Sequence, residues 1–233
     1  MLMLDRTFLQ HVAPNFCLLC KYPTHSALAL CEFCIERLPW NTGPCCQQCA
    51  LPLPGTTVCG ACLKDPPPFC AVISPFHYEP PIDRFMYQLK FSNQLIYAYL
   101  MGHLLARRIT TTAVDLPEAI LPVPLHRQRL RERGFNQALE IAKPLANQLK
   151  IRCCKNLIIR SKATLAQAQL TAHERNDNVK NAFQIRQKIP FSHIAIVDDV
   201  MTTGATLKQL CHTIKTETNV QRIDIWCCAR ATK

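Results

Sequence analysis

The spacing of apolar and polar positions lays out a chain of alternating strands and helices. Ala71–Tyr78 (AVISPFHY) reads as a first strand. In Pro81–Phe91 the apolar residues fall at 82, 85, 86 and 89, the three-to-four spacing of a helix with one buried stripe. Gln94–Ile109 continues as a second helix carrying Leu95, Leu100, Leu104 and Leu105. Ala119–Val123 is a short apolar strand ending in Pro-Val-Pro, and Phe135–Leu149 a helix with Gly134 ahead of it and Pro144 as a kink or break. Asn156–Ile159 and Ala182–Ile185 are further strand candidates. His193–Val197 is the clearest strand, followed by a helix from Gly204 to Lys215, and Ile223–Cys228 closes with another apolar strand. This alternation predicts an α/β domain with a mainly parallel sheet and flanking helices.

Ahead of Ala71 the pattern changes character. Large apolar residues thin out, and Lys64–Phe69 (KDPPPF) sets three prolines in a row, a stiff extended spacer. The expected organisation is therefore a Cys-rich domain over residues 1–70 and an α/β domain over residues 71–233. Of the 15 cysteines in the 233-residue chain, ten fall in residues 1–70, and eight of those form four C-x2-C pairs. The opening MLMLDRTFLQHVAP places Asp5 and Arg6 too early for a signal peptide, and no apolar run approaches the ~20 residues of a membrane span. A cytoplasmic protein with reduced thiols is expected, in which such pairs read as metal ligands and not as a disulfide framework.

The ligand candidates are Cys17, Cys20, Cys31 and Cys34, then Cys46, Cys49, Cys59 and Cys62. Each C-x2-C pair puts two sulfurs on one tight turn, and two pairs complete a tetrahedron about an ion at roughly 2.3 Å. Soft thiolates favour zinc, expected as two closed and therefore structural sites; an iron–sulfur cluster is the rival metal centre. Spacing leaves two matters open: whether the pairs combine sequentially or crosswise, and whether Cys45 or Cys46 is the ligand. Cys153, Cys154, Cys211, Cys227 and Cys228 stand in apolar stretches and read as small core residues.

Charge divides along the same boundary. Residues 1–70 hold equal numbers of basic and acidic side chains, so the formal excess of +11 lies in residues 71–233. Two four-thiolate zinc sites would each carry −2, lowering the +11 to about +7 and making the Cys-rich part acidic beside a basic partner. An anionic ligand is the natural complement.

Two segments offer chemistry for one. Ile194–Val197 delivers Asp198 and Asp199 to the carboxyl end of a strand, the edge where open α/β sheets bind ligands. Paired carboxylates there suit two ribose hydroxyls or a metal-bridged sugar pyrophosphate. Val200, Met201, Thr202, Thr203, Gly204, Ala205 and Thr206 then form a loop and helix start whose N–H groups and hydroxyls can hold phosphate. Upstream, Arg127, Arg129, Arg131 and Arg133 are four arginines in seven residues, suited to pyrophosphate or to a nucleic-acid backbone, or else a solvated helix face. Aromatic partners for unpaired bases are scarce nearby, with Phe135 alone inside the block. Ala163–Phe183, polar in its middle, would suit a lid over a ligand.

Ile194–Leu207 (IAIVDDVMTTGATL) closely resembles the phosphoribosyl pyrophosphate (PRPP) motif of type I phosphoribosyltransferases. Together with the cysteine pairs, the linking prolines, Gln88–Phe91, PVPLHRQRLRERGFNQ, Gln167, Arg175 and Asn178–Phe183, it makes nearly the whole chain similar to the ComF family. That resemblance implies a phosphoribosyltransferase-like fold after a zinc-binding segment. It also implies PRPP with magnesium as ligand, with the acidic pair on the ribose hydroxyls and the loop on the 5′-phosphate. The role implied is handling of incoming single-stranded DNA during natural transformation, by direct contact or through a competence helicase or other uptake protein at the inner membrane. Phosphoribosyl transfer to an unidentified acceptor is the alternative, and no segment declares itself the acceptor's binding site.

Overall fold

A computed structural model describes residues 15–55, 57–112, 115–162 and 182–232. Two short strands, β1 (Asn15–Phe16) and β2 (Pro23–Thr24), pair antiparallel and are followed by helices α1 (Glu32–Glu36) and α2 (Gly60–Lys64). Then come β3 (Ala71–Ile73), β4 (Phe76–His77), α3 (Ile82–Phe91), α4 (Ile96–Thr111), β5 (Ala119–Pro122), α5 (Arg127–Arg133) and α6 (Gln137–Leu149). The chain continues through β6 (Arg152–Cys153), β7 (Ile158–Arg160), β8 (Phe183–Ile185), β9 (His193–Met201), α7 (Ala205–Glu217) and β10 (Arg222–Arg230).

The central sheet runs β3-β10-β9-β5-β6, with β4 also on β10, and every pairing is parallel. Ala71–Tyr78 is thus two strands in one register, Ile73 opposite Trp226 and Phe76 opposite Ala229, interrupted at Ser74-Pro75 where proline offers no N–H. The strands foreseen around residues 158 and 183 stand apart from this sheet as an antiparallel ribbon. The segment 163–181, which holds most of the expected lid with Gln167, Arg175 and Asn178–Asn181, lies outside the described residues, as do residues 1–14.

Strand alternation sorts the core into two layers. Ala195, Val197, Trp226 and Cys228 face a cluster built from α3, α4 and α6, while Ile194, Ile196, Ile225 and Cys227 face one built around α7. The Cys-rich segment contributes to both. Cys17, Leu30, Cys34, Ile35 and Leu38 join the first cluster; Cys46, Cys49, Cys59, Cys62 and Phe69 join the second. Trp40 stacks on Phe76 with ring centroids 4.5 Å apart, and Asn41 N–H donates to the Pro75 carbonyl at 2.6 Å. The segment straddles the sheet and is not an appendage at the end of a spacer.

Pro144 does not break α6, which runs on to Leu149. The reason lies on the facing helix. Gly102 of α4 comes so close that a Cβ there would stand 2.6 Å from Pro144 Cγ and 2.6 Å from the Ile141 carbonyl. Packing against α4 offsets the backbone hydrogen bond that proline forfeits.

Candidate functional site

β9 continues to Met201, so Asp198 and Asp199 belong to the strand itself, close to its carboxyl end. Asp198 Oδ1 accepts the Asp199 N–H at 2.9 Å, and Asp199 Oδ1 accepts the Val200 N–H at 2.8 Å. Asp199 is buried, 5% exposed, and its Oδ2 lies 2.5 Å from Lys90 Nζ of α3. Burial works against the Lys90 charge, but the adjacent Asp199 carboxylate prevails and raises the ammonium's pKa above its ordinary value. Burial, with repulsion from Asp199 added, pushes the Asp198 carboxyl up to about 8. The pair, balanced by a single lysine, offers carboxyl oxygens that can hydrogen-bond to vicinal hydroxyls.

Gly204 turns the chain from β9 into α7 with φ +77, left-handed backbone, and a Cβ there would meet Met201 Cε at 2.7 Å. A cavity of about 260 Å³ opens over the strand end, lined by Asp198, Asp199, Val200, Thr202 and Thr206 from the predicted loop. Met201, Gly204 and Ala205 enclose a smaller recess of about 40 Å³ beside it. Thr203 lines neither; its hydroxyl accepts the Ala205 N–H at 3.4 Å.

The four arginines of α5 do not all face the cavity. His126 caps α5 by accepting the Gln128 N–H, Gly134 closes it with φ +80, and seven residues of helix turn alternate arginines apart. Arg129 reaches the cavity and Arg133 stays half-buried beside it, while Arg127 and Arg131 are exposed, Arg127 at the rim of a second cavity. Asn136 caps α6 and donates Nδ2–H to the Val123 carbonyl at 3.0 Å, fixing α5 and α6 to the end of β5.

Tyr78, Lys90, Gln137 and Arg160 also line the cavity, and sequence reasoning assigned none of them a role there. Lys90 sits on the polar margin of an amphipathic helix, where periodicity marks it only as exposed. A larger cavity of about 680 Å³ adjoins the first and shares Leu125 and Arg160 with it. Its floor is apolar, and its rim carries His126, Arg127, Lys155 and Arg186.

The cysteines resolve into two groups, Cys17 with Cys20, Cys31 and Cys34, and Cys46 with Cys49, Cys59 and Cys62, sulfurs in each within 4.8 Å of one another. The pairing is sequential, and Cys46 occupies the place that Cys45 could have taken. Bonds of 2.3 Å at tetrahedral angles set sulfurs about 3.8 Å apart; Cys20–Cys31 and Cys49–Cys59 are each at 3.7 Å. Cys59 N–H donates to Cys46 Sγ at 3.3 Å, as a bound thiolate requires. Against the effect of burial, backbone N–H groups bring Cys17 down to about 6, while burial and neighbouring thiols push Cys34 up to about 12. Four thiolates can coexist here only around a cation, and the all-sulfur donor set fits zinc.

Arg230 connects this centre to the loop. Its guanidinium, in a side chain 7% exposed, donates from Nε to the Cys49 carbonyl at 2.9 Å and from Nη1 to the carbonyls of Met201, Thr202 and Ala231.

The double zinc ribbon domain matches residues 8–63. Along 225 residues, 93% of this chain and 97% of the relative, the sequence is 34% identical to the DNA utilization protein YhgH of Escherichia coli strain K12. The YhgH of Salmonella typhimurium strain LT2 is 33% identical over 223 residues, again 93% of this chain and 97% of the relative. Competence protein F of Haemophilus influenzae is 34% identical over 227 residues, 93% of this chain and 98% of the relative. No helix among the described residues is long and apolar enough to cross a membrane. With two four-cysteine zinc sites packed against a parallel sheet and full-length similarity to these proteins, the chain belongs to the ComF family.

Proposed function

We propose that this protein binds PRPP with magnesium in the cleft at the end of β9 and works in the cytoplasm on single-stranded DNA taken up or used by the cell. The observation that carries the ligand is the joining of Asp198, Asp199, Thr202 and Thr206 around one cavity, with Lys90, Arg129 and Arg160 supplying positive charge. Asp198 and Asp199 would hold the ribose hydroxyls and the loop the 5′-phosphate. The pyrophosphate would lie toward Arg129 and Arg160, and magnesium would supply charge neutralisation for its oxygens. The zinc sites are closed and brace the cleft without entering it. The DNA role follows from relatives named for DNA utilization and competence.

Calorimetry with PRPP and magnesium tests the ligand. Binding by the native protein, lost in an Asp198→Ala, Asp199→Ala variant that still melts cooperatively, is the expected result; equal binding by both refutes it. Uptake of labelled DNA by a transformable host carrying the same variants tests the role.

One observation favours a second reading, phosphoribosyl transfer. The 680 Å³ cavity shares Leu125 and Arg160 with the PRPP cleft and is large enough for an acceptor with an apolar ring. Release of pyrophosphate on addition of an acceptor would mark that activity.

A further inference from the structure

Beside the cleft, helix α3 turns two aromatic rings outward. Tyr87 and Phe91, one turn apart, are 59% and 65% exposed, with ring centroids 5.0 Å apart. The opposite face of the helix is buried through Phe85, Met86 and Leu89, so the core does not need these two rings. Single exposed aromatics are commonplace on protein surfaces; here two lie side by side, and Phe91 lines a cationic cavity. Arg133 of α5 lies over Phe91, its Cζ 5.7 Å from the ring centroid, within cation–π range. Phe91 and Arg133 line a cavity of about 500 Å³ with Lys90, Asn93, Arg129 and Glu132. Glu132 is its one acidic side chain, and its Oε1 is engaged by Gln128 at 2.9 Å. Lys90 and Arg129 line the proposed PRPP cleft as well, so the two spaces are neighbours.

The arginine block thus gains, from a distant segment, the ring surface that its own sequence lacks. We propose that Tyr87 and Phe91 with Arg129 and Arg133 form a platform for single-stranded DNA. Unpaired bases stack on the two rings while the guanidinium groups hold the flanking phosphates. This rests on the reading that the protein handles single-stranded DNA, and it locates where the strand lies: along α3 and α5, toward the phosphate loop. Duplex DNA, whose bases are already stacked inward, has no equivalent contact with the rings.

Fluorescence anisotropy with a labelled oligothymidylate and the full-length zinc-loaded protein tests the platform. Phe91→Leu keeps an apolar side chain but removes the π face, and weakens binding about tenfold; adding Tyr87→Leu weakens it about a hundredfold. Neither changes the slope of log affinity against log salt, whereas Arg129→Ala and Arg133→Ala each make it shallower by about 0.7. Phe91→Trp keeps the affinity, and its fluorescence is quenched by the oligonucleotide. Both rings are exposed, so unchanged melting curves confirm that the leucine variants fold. Native affinity in the double leucine variant, or equal binding of duplex and single strand, overturns the platform alone. No binding of the oligonucleotide by the native protein overturns the platform and the DNA reading together.

Discussion

Lys90 Nζ lies 2.5 Å from Asp199 Oδ2, so a lysine on α3 balances the buried carboxylate of β9 from across the cleft. Removing one member of such a pair leaves the other uncompensated, at a cost of about 3–5 kcal/mol. Lys90→Met is expected to destabilise the protein to that extent. Adding Asp199→Asn should restore a large part of the loss, because the amide needs no counter-charge. Urea denaturation of the two single variants and the double variant measures the coupling directly. Strictly additive effects would contradict the pairing.

Asp198 gives a pH signature. Its carboxyl is pushed up to about 8 by burial and by Asp199, against about 3.9 in an unfolded chain. The folded state then holds a proton that the unfolded state releases, so this group's contribution to stability declines as pH rises from 4 to 8 and levels off above. The slope contributed cannot exceed about 1.4 kcal/mol per pH unit. Asp198→Asn mimics the protonated form throughout. Its melting temperature relative to the native protein should therefore climb between pH 5 and pH 8, and a constant difference would exclude the raised pKa.

The sheet and the turn from β9 into α7 were legible because each is written in contiguous residues. Ile194–Val197 is apolar at every position, as a strand buried on both faces must be, and the loop follows it without interruption. What escaped depends on partners far along the chain. Lys90 meets Asp199, and Phe91 meets Arg133, only because α3 folds across the end of β9. The β7–β8 ribbon has the same composition as a sheet strand, and only its pairing partner sets it apart. The x10 and x9 spacings between cysteine pairs admit both pairings, and three-dimensional convergence decides between them. That α6 continues past Pro144 was not legible, because the proline's penalty is local while the closely packed Gly102 sits on another helix.

That contact is itself testable. A methyl group at position 102 would collide with the Ile141 carbonyl, which is backbone and cannot yield, as well as with Pro144 Cγ. Gly102→Ala, despite alanine's better helix propensity, should destabilise by about 1–3 kcal/mol. Pro144→Ala in the same chain removes one of the two collisions and should recover part of the loss. A stabilised Gly102→Ala variant would mean that α4 and α6 lie farther apart.

Two sequentially paired four-cysteine sites fix a metal count. The native protein should carry two zinc ions per chain by mass spectrometry of the intact protein. Cys45→Ser should retain both, since Cys45 lies outside either group. Cys34→Ser or Cys62→Ser should lower the count and the melting temperature together, because each group packs into a different face of the sheet. Had the first pair joined the third and the second the fourth, Cys34 and Cys62 would hold the same ion, and the double variant would lose one zinc and not two.

Arg230 ties the zinc segment to the loop that follows β9. Its guanidinium spans from the Cys49 carbonyl to those of Met201 and Thr202, a reach that depends on donors fixed at both Nε and Nη1. Lysine offers one ammonium and cannot serve both sides. Arg230→Lys should therefore cost about 1.5–3 kcal/mol for the charged hydrogen bond given up. If the ammonium remains with the larger set of carbonyls at Met201 and Thr202, the loss falls on the Cys49 side; if it moves to Cys49, the loop loosens. The two outcomes separate in measurement. With PRPP as the proposed ligand, loosening of the loop would lower its affinity by about tenfold, equivalent to 1.4 kcal/mol, with zinc content intact, whereas loosening at Cys49 would speed zinc loss to a chelator and spare the ligand. Native stability, native ligand affinity and native zinc release in the same variant would show that the guanidinium couples nothing.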